Sequence, residues 1–180
     1  MTELASPGQL RASLLRWSLF LAPLLLLLGT ISGAISGSGS NSIWFISLVK
    51  PAIYPPPATF GIVWTVLYLL MGVALAMVVT ARGAAARGFA IAVFVVQFLL
   101  NLAWSPVFFG MQLLVPALLL LLAIDVAVLA TVILFYRVRP RAALLLLPYL
   151  AWVLFAAVLN WQFIQANPDQ AIGAELFLAS

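Results

Sequence analysis

Long unbroken apolar runs, separated by short polar or glycine- and proline-rich stretches, organise this chain. Five windows are long enough to cross a hydrocarbon core, which takes roughly 20 residues at about 1.5 Å each: Trp17–Ile35, Ile62–Thr80, Phe89–Phe109, Leu113–Tyr136 and Ala142–Ile164. Each predicts a membrane-spanning helix. Strands of a β-barrel would be shorter and would alternate apolar with polar residues, and these runs do not alternate. The pattern predicts an all-α fold, a five-helix integral membrane bundle forming one domain over residues 1–180. The first run follows Arg11 and Arg16 and ends in small residues, as a signal peptide would. Its 19 apolar residues exceed a usual signal core, so a span is the better reading.

Composition agrees with this reading. Of 180 residues, 66% are hydrophobic and 7% charged, and the mean hydropathy is +1.24. That is more apolar surface than one soluble domain can bury. The sequence contains neither cysteine nor histidine. Disulfides, thiolate or imidazole metal sites and nucleophiles built on these residues are thereby excluded, and no metal site is expected. The net charge of +4 could point to nucleic acid, but seven of the eight basic residues flank apolar spans. Such a distribution sets orientation in a membrane, and no nucleic-acid partner is expected. With five spans, Arg11, Arg16, Arg82, Arg87, Arg137, Arg139 and Arg141 share one side and Lys50 stands alone on the other. The N-terminus is therefore predicted to be cytoplasmic, with the first loop and the C-terminus on the opposite face.

Links of eight, three and five residues join spans two to five and predict antiparallel hairpins. The first link is different, running 26 residues from Ser36 to Gly61. It opens with a flexible Gly/Ser stretch (Ser36 to Asn41), passes through Ile43-Trp44-Phe45, and ends in Lys50-Pro51 and Pro55-Pro56-Pro57. Prolines fix φ, so this last part is expected to run extended across the bundle mouth. Composition leaves open whether its aromatics form an interfacial belt or a lid over a ligand.

Inside the spans the polar residues fall on faces. Gln97, Asn101 and Ser105 recur at i, i+4 and i+8 with Trp104 beside them. On span five, Tyr149, Trp152, Ala156 and Asn160 lie within an arc of roughly 80° at about 100° per residue. Trp64, Tyr68 and Met71 make a third face on span two. Taken singly, the amides read as hydrogen-bonding links between helices. Converging, the three faces describe a pocket for a flat, largely apolar ligand, with rings to stack on and sparse polar groups to orient it. Asp125 is the sole charged residue within the five windows. Its two readings are a functional group and a protonated acid bonded to a neighbouring helix. Gly29, Gly33 and Gly37 form a small-residue ribbon, read either as a homodimer face or as packing within the bundle.

Three stretches carry a family resemblance: Trp44 to Tyr68 (WFISLVKPAIYPPPATFGIVWTVLY), Gln97 to Gly110 (QFLLNLAWSPVFFG) and Pro148 to Asn160 (PYLAWVLFAAVLN). In order and spacing they resemble the TspO/MBR family, the tryptophan-rich sensory or translocator proteins. The resemblance implies a five-helix bundle, commonly a homodimer, whose pocket under the first loop binds porphyrins such as protoporphyrin IX and haem. Porphyrin would be a ligand, and no cofactor is expected to be required. Tetrapyrrole transport and stress regulation are the roles implied. By position the pocket would include Trp44, Pro51, Tyr54, Trp64, Tyr68, Asn101, Trp104, Phe108, Tyr149, Trp152 and Asn160.

Two departures matter. Where the family usually carries an aromatic two residues before the Pro-Pro pair, this chain has Ile53, which cannot stack or donate an electron as indole does. Light-dependent porphyrin degradation, the enzymatic alternative, would then rest on Trp152 as its candidate catalytic residue. The basic residue that sterol-recognising members carry after span five is also missing, and only a looser pattern stands at Leu134-Phe135-Tyr136 with Arg137. A further alternative is a non-catalytic assembly subunit that joins a larger complex through the glycine ribbon.

Overall fold

The computed structural model describes residues 6–39 and 42–170. Ser40 and Asn41 of the Gly/Ser stretch lie outside the described residues, as does the C-terminal tail. Five helices are long and apolar enough to cross a membrane, and among the described residues there is no strand.

Helix α1 (Pro7–Ile35) begins well before the apolar window because Ser6 caps it. The Ser6 hydroxyl accepts from the Gln9 N–H at 3.3 Å and the Gln9 side chain accepts from the Ser6 N–H at 2.8 Å, a capping box followed by proline in the first turn. The helix stops at Gly37, whose φ of +64° only glycine adopts freely. There the Gly37 N–H reaches Ala34 O and the Ser38 N–H reaches Gly33 O, satisfying carbonyls that the ended helix leaves free.

The link that follows is not uniformly irregular. Ile43–Ser47 forms a short helix, α2, N-capped by Ser42. Pro55 and Pro56 stay outside the helices as expected, but Pro57 opens α3 (Pro57–Val79). Its fixed φ and missing N–H suit a first helical position, so the span starts five residues before the apolar window.

Helix α4 (Arg87–Ser105) passes into a π-turn at Pro106–Gly110. Pro106 has no N–H for Leu102 O, and Ser32 of α1 donates its hydroxyl to that carbonyl instead, at 2.6 Å. Met111 then bonds back five residues to Pro106 O. Helices α5 (Leu114–Val138) and α6 (Pro140–Ala166) are joined by Arg139 alone.

The helices pack in a ring: α1 on α3, α3 on α6, α6 on α5, α5 on α4, and α4 back to α1 along a thinner seam. The backbones of α1 and α3 come close together where Gly72 of α3 meets Ala22 of α1, since any Cβ at Gly72 would run into Ala22 backbone. Toward the arginine-bearing end the ring is filled by Met71, Phe94, Ile124 and Phe135, with Phe94 stacked on Phe135 at 5.7 Å. Toward the other end a second cluster of Phe45, Leu48, Phe108, Leu159 and Phe163 closes the bundle. Leucines, valines and phenylalanines cover the outside, among them Leu19, Phe20, Leu119 and Val126, as lipid requires.

Candidate functional site

Between the two clusters lies a cavity of about 570 Å³. That is within the range of roughly 300–1,000 Å³ typical of small-molecule sites. Helix α3 supplies Phe60, Trp64 and Tyr68, which sit four residues apart and so share one helical ribbon. Trp64 and Tyr68 stack at 5.2 Å, and Phe60 meets Trp152 of α6 edge-on at 5.8 Å. From α4 and its π-turn come Asn101, Trp104, Ser105, Phe108 and Phe109, with Trp104 stacked on Phe108 at 4.9 Å. The π-turn is what brings Phe108 and Phe109 both onto the cavity wall, one residue apart.

Of the residues expected at the pocket, Tyr54, Trp64, Tyr68, Asn101, Trp104, Phe108, Trp152 and Asn160 line it. Trp44, Pro51 and Tyr149 do not. Trp44 lies behind Phe108, edge-on at 5.6 Å, and bonds weakly to Gln170. Pro51 accepts the turn hydrogen bond from the Tyr54 N–H. Tyr149 is fully buried behind Trp64 and donates to Gln97 Oε1 at 3.0 Å, so it braces the wall from outside.

The amides divide in the same way. Asn101 Oδ1 accepts from the Tyr68 hydroxyl at 3.0 Å, tying α4 to α3. Asn160, with its amide oriented to suit its neighbours, donates to Leu114 O and accepts from Leu118 N–H, both at 3.1 Å. Its polar atoms are therefore committed to α5, and only its flank faces the cavity. Sparse free polarity remains on the wall, including the Ser105 hydroxyl, one edge of Asn101 and the Trp104 Nε1–H, which has no hydrogen-bond partner among the described residues, against a surface of rings and aliphatic carbon.

Sequence patterns missed part of this wall. Phe60 continues the Trp64/Tyr68 ribbon one turn earlier, but placing the start of span two at Ile62 left it in the loop. Phe163 extends the Ala156/Asn160 stripe of α6. Leu121 and Ile124 of α5 carried no polar or aromatic signal. Helix α1 contributes Leu26, Gly29 and Gly33, so two glycines of the small-residue ribbon face the bundle's own interior. A Cβ on Gly29 would overlap the Tyr68 ring, and one on Gly33 would press on Ser38 Oγ at 2.8 Å. Gly37 is spent on ending the helix.

Across the loop end of the cavity sits α2. Phe45 points inward, only 6% exposed, and touches Tyr54, Phe108, Phe109 and Phe163 with ring centroids 5.4 to 6.3 Å apart. The Lys50 ammonium folds back to the Phe45 and Leu48 carbonyls and lies 4.3 Å from the Phe45 ring centroid. Partial burial pushes the Lys50 pKa down and that of Tyr54 up, because it disfavours the charged form of each. Ile53, in the loop position of the missing aromatic, is exposed and does not line the cavity. Asp125 also lies off the cavity. It is buried on α5 next to the lining residue Ile124, and neither carboxyl oxygen has a hydrogen-bond partner among the described residues. The bond to a neighbouring helix, one of the two readings of this residue, is absent among the described residues.

The family model for TspO/MBR matches residues 20–165 of the chain. Tryptophan-rich protein TspO of Chlorobaculum tepidum is 41% identical over 71% of this chain and 81% of its own length. Translocator protein of Bos taurus is 36% identical, covering 83% of this chain and 89% of its own. Tryptophan-rich sensory protein of Cereibacter sphaeroides is 34% identical over 84% and 92%. Each of these alignments includes most of the five-helix span that encloses the cavity.

Proposed function

This chain belongs to the TspO/MBR family, a family of membrane translocators and sensors, and on that premise we propose that its cavity binds porphyrins or similarly flat apolar ligands. The observation that carries this reading is the wall itself. Trp64, Tyr68, Trp104, Phe108, Phe60 and Trp152 surround about 570 Å³ of space while few polar groups remain free. Rings of this kind offer stacking surfaces to a planar conjugated ligand, and burial of its faces supplies most of the affinity. The few free polar atoms serve to orient it. The carboxylates of a dicarboxylic porphyrin would need a wetter setting than the apolar floor at Leu121 and Ile124, so they are assigned to the loop end.

Transport or sensing fits this site better than catalysis. The wall has no acid–base pair, and no cluster of three potential metal ligands occurs among the described residues. Trp152 in the wall is the residue on which a light-driven oxidation of bound porphyrin would depend, whereas Ile53 offers nothing to it. The N-terminus is assigned to the cytoplasm, because the described arginines lie at the α1 start and at the α3–α4 and α5–α6 links, which share one end of the bundle, and Lys50 lies at the other.

The test is a titration of the purified protein in nanodiscs with protoporphyrin IX, following tryptophan fluorescence. Saturable quenching at micromolar ligand is expected. Its absence overturns the reading.

A further inference from the structure

Packing holds most of the lid: helix α2 has five residues, too few to be stable alone, and the segment is anchored by Phe45 and Leu48 in the second cluster and by the rings of Trp44 on Phe108 and of Tyr54 on Phe60 and Phe163. Its polar ties to the helices are few. The Lys50 bonds to Phe45 O and Leu48 O stay within the lid, as does the turn from Tyr54 to Pro51. Among the described residues, two side chains bind the segment 43–56 to the helical bundle by hydrogen bonds. One is Gln170, reached by Trp44 Nε1 at 3.3 Å on the exposed surface. The other is Asn167, the residue that caps α6.

Asn167 makes a much better set of bonds. Its Oδ1 accepts from the Val49 N–H at 2.8 Å, and its Nδ2 donates to Val49 O at 3.1 Å and to Phe163 O at 2.9 Å. One amide thus pairs with both backbone groups of a lid residue, as a neighbouring strand would, while bonding back to the helix that carries it. The side chain is only 8% exposed, so water does not readily replace these bonds. Phe163, whose carbonyl Asn167 grips, is itself a wall residue in contact with Phe45. We propose that Asn167 is a positioning residue for ligand exchange: the latch that sets how often the lid opens, and so how fast a ligand enters and leaves.

This inference rests on the ligand-binding reading above for its functional part, and on the lid geometry alone for its structural part. The latch is made by protein groups on both sides, so it holds the lid equally with the cavity empty or filled. Weakening it raises the open fraction in both states. Association and dissociation rates should then rise by a common factor, with Kd nearly unchanged. Losing the two bonds to Val49, each worth about one factor of 3 to 10, predicts rates roughly 10- to 100-fold faster.

The experiment compares wild type with Asn167→Leu in nanodiscs by two readouts. Hydrogen exchange of the lid peptide, including the Val49 amide, is measured without ligand, and stopped-flow quenching with protoporphyrin IX gives both rates. Gln170→Ala is the control for the peripheral contact and should leave both readouts within about twofold. Faster Val49 exchange in Asn167→Leu, unchanged exchange in α3 to α5, and two rates raised together support the latch. Unchanged Val49 exchange overturns it, and so does faster exchange with unaltered rates, since ligand would then pass elsewhere. Failure of wild type to bind porphyrin defeats the ligand reading instead, and the exchange readout then decides the latch by itself.

Discussion

Replacing Gly29 with alanine separates two physical roles for the glycine ribbon. A methyl at this position overlaps the Tyr68 ring, which is itself buried and donates to Asn101. The ring must move, and its hydroxyl then loses Asn101. Overpacking costs about 1–3 kcal/mol, and a lost interhelical hydrogen bond in a membrane protein about 0.6–2 kcal/mol. Alanine offsets part of this, because it favours the helix over glycine by about 1 kcal/mol. The net expectation is a destabilisation of about 1–4 kcal/mol, read as a lower midpoint in denaturant titration of the detergent-solubilised protein. In a Tyr68→Ala background the clash is gone, and the same Gly29→Ala change should be neutral or stabilising. That non-additivity, measured as a double-mutant cycle, is the signature of direct contact. If Gly29→Ala is harmless in the wild-type background, or its effect adds independently of Tyr68, the packing account of this glycine is wrong.

Other expectations follow from the same geometry. Asp125→Leu should raise stability by about 1–3 kcal/mol, because it removes a buried carboxyl that has no described partner, and a lower denaturation midpoint would contradict that. Ser32→Ala should cost about 1–3 kcal/mol by stranding Leu102 O, the carbonyl that Pro106 leaves unpaired, whereas Ser18→Ala on the same helix should have no such effect on the midpoint. Lys50 titrates below its ordinary value in the folded protein. Just under pH 10.5 the folded chain therefore binds fewer protons there than the unfolded chain, and this residue's contribution to stability rises with pH. The melting temperature of wild type should gain on Lys50→Met as pH climbs through that window, with Tyr54 common to both. An unchanged or falling difference would count against the burial of Lys50.

Much of the architecture was legible because lipid imposes a simple rule: apolar runs of spanning length become helices. Helix starts were less so. Ser6 and Gln9 extended α1 far into a polar segment through a capping box, and Pro57 opened α3 where three successive prolines read as an irregular stretch. The aromatic faces of α3, α4 and α6 did converge, since rings spaced by three, four or seven residues must share a side. What the spacing did not reveal was depth along the helix. Tyr149 and Trp152 lie on one stripe, yet Tyr149 falls behind Trp64 and Trp152 on the wall. Asn160 kept its place at the cavity but gave its amide to α5. Asn167 left no trace in any periodic pattern, because its role depends on a loop folding back across the bundle from more than a hundred residues away.

The central claim, that the aromatic cavity is the porphyrin site, is tested most directly by filling the cavity without disturbing the bundle. Ala156 lines it on α6 between Trp152 and Asn160, so Ala156→Trp places an indole in space that is otherwise open. Following the absorption band of protoporphyrin IX during titration of both proteins, the account predicts saturable binding to wild type and its loss in Ala156→Trp at an unchanged melting temperature. Equal binding by the two proteins would place the ligand elsewhere and contradict the account.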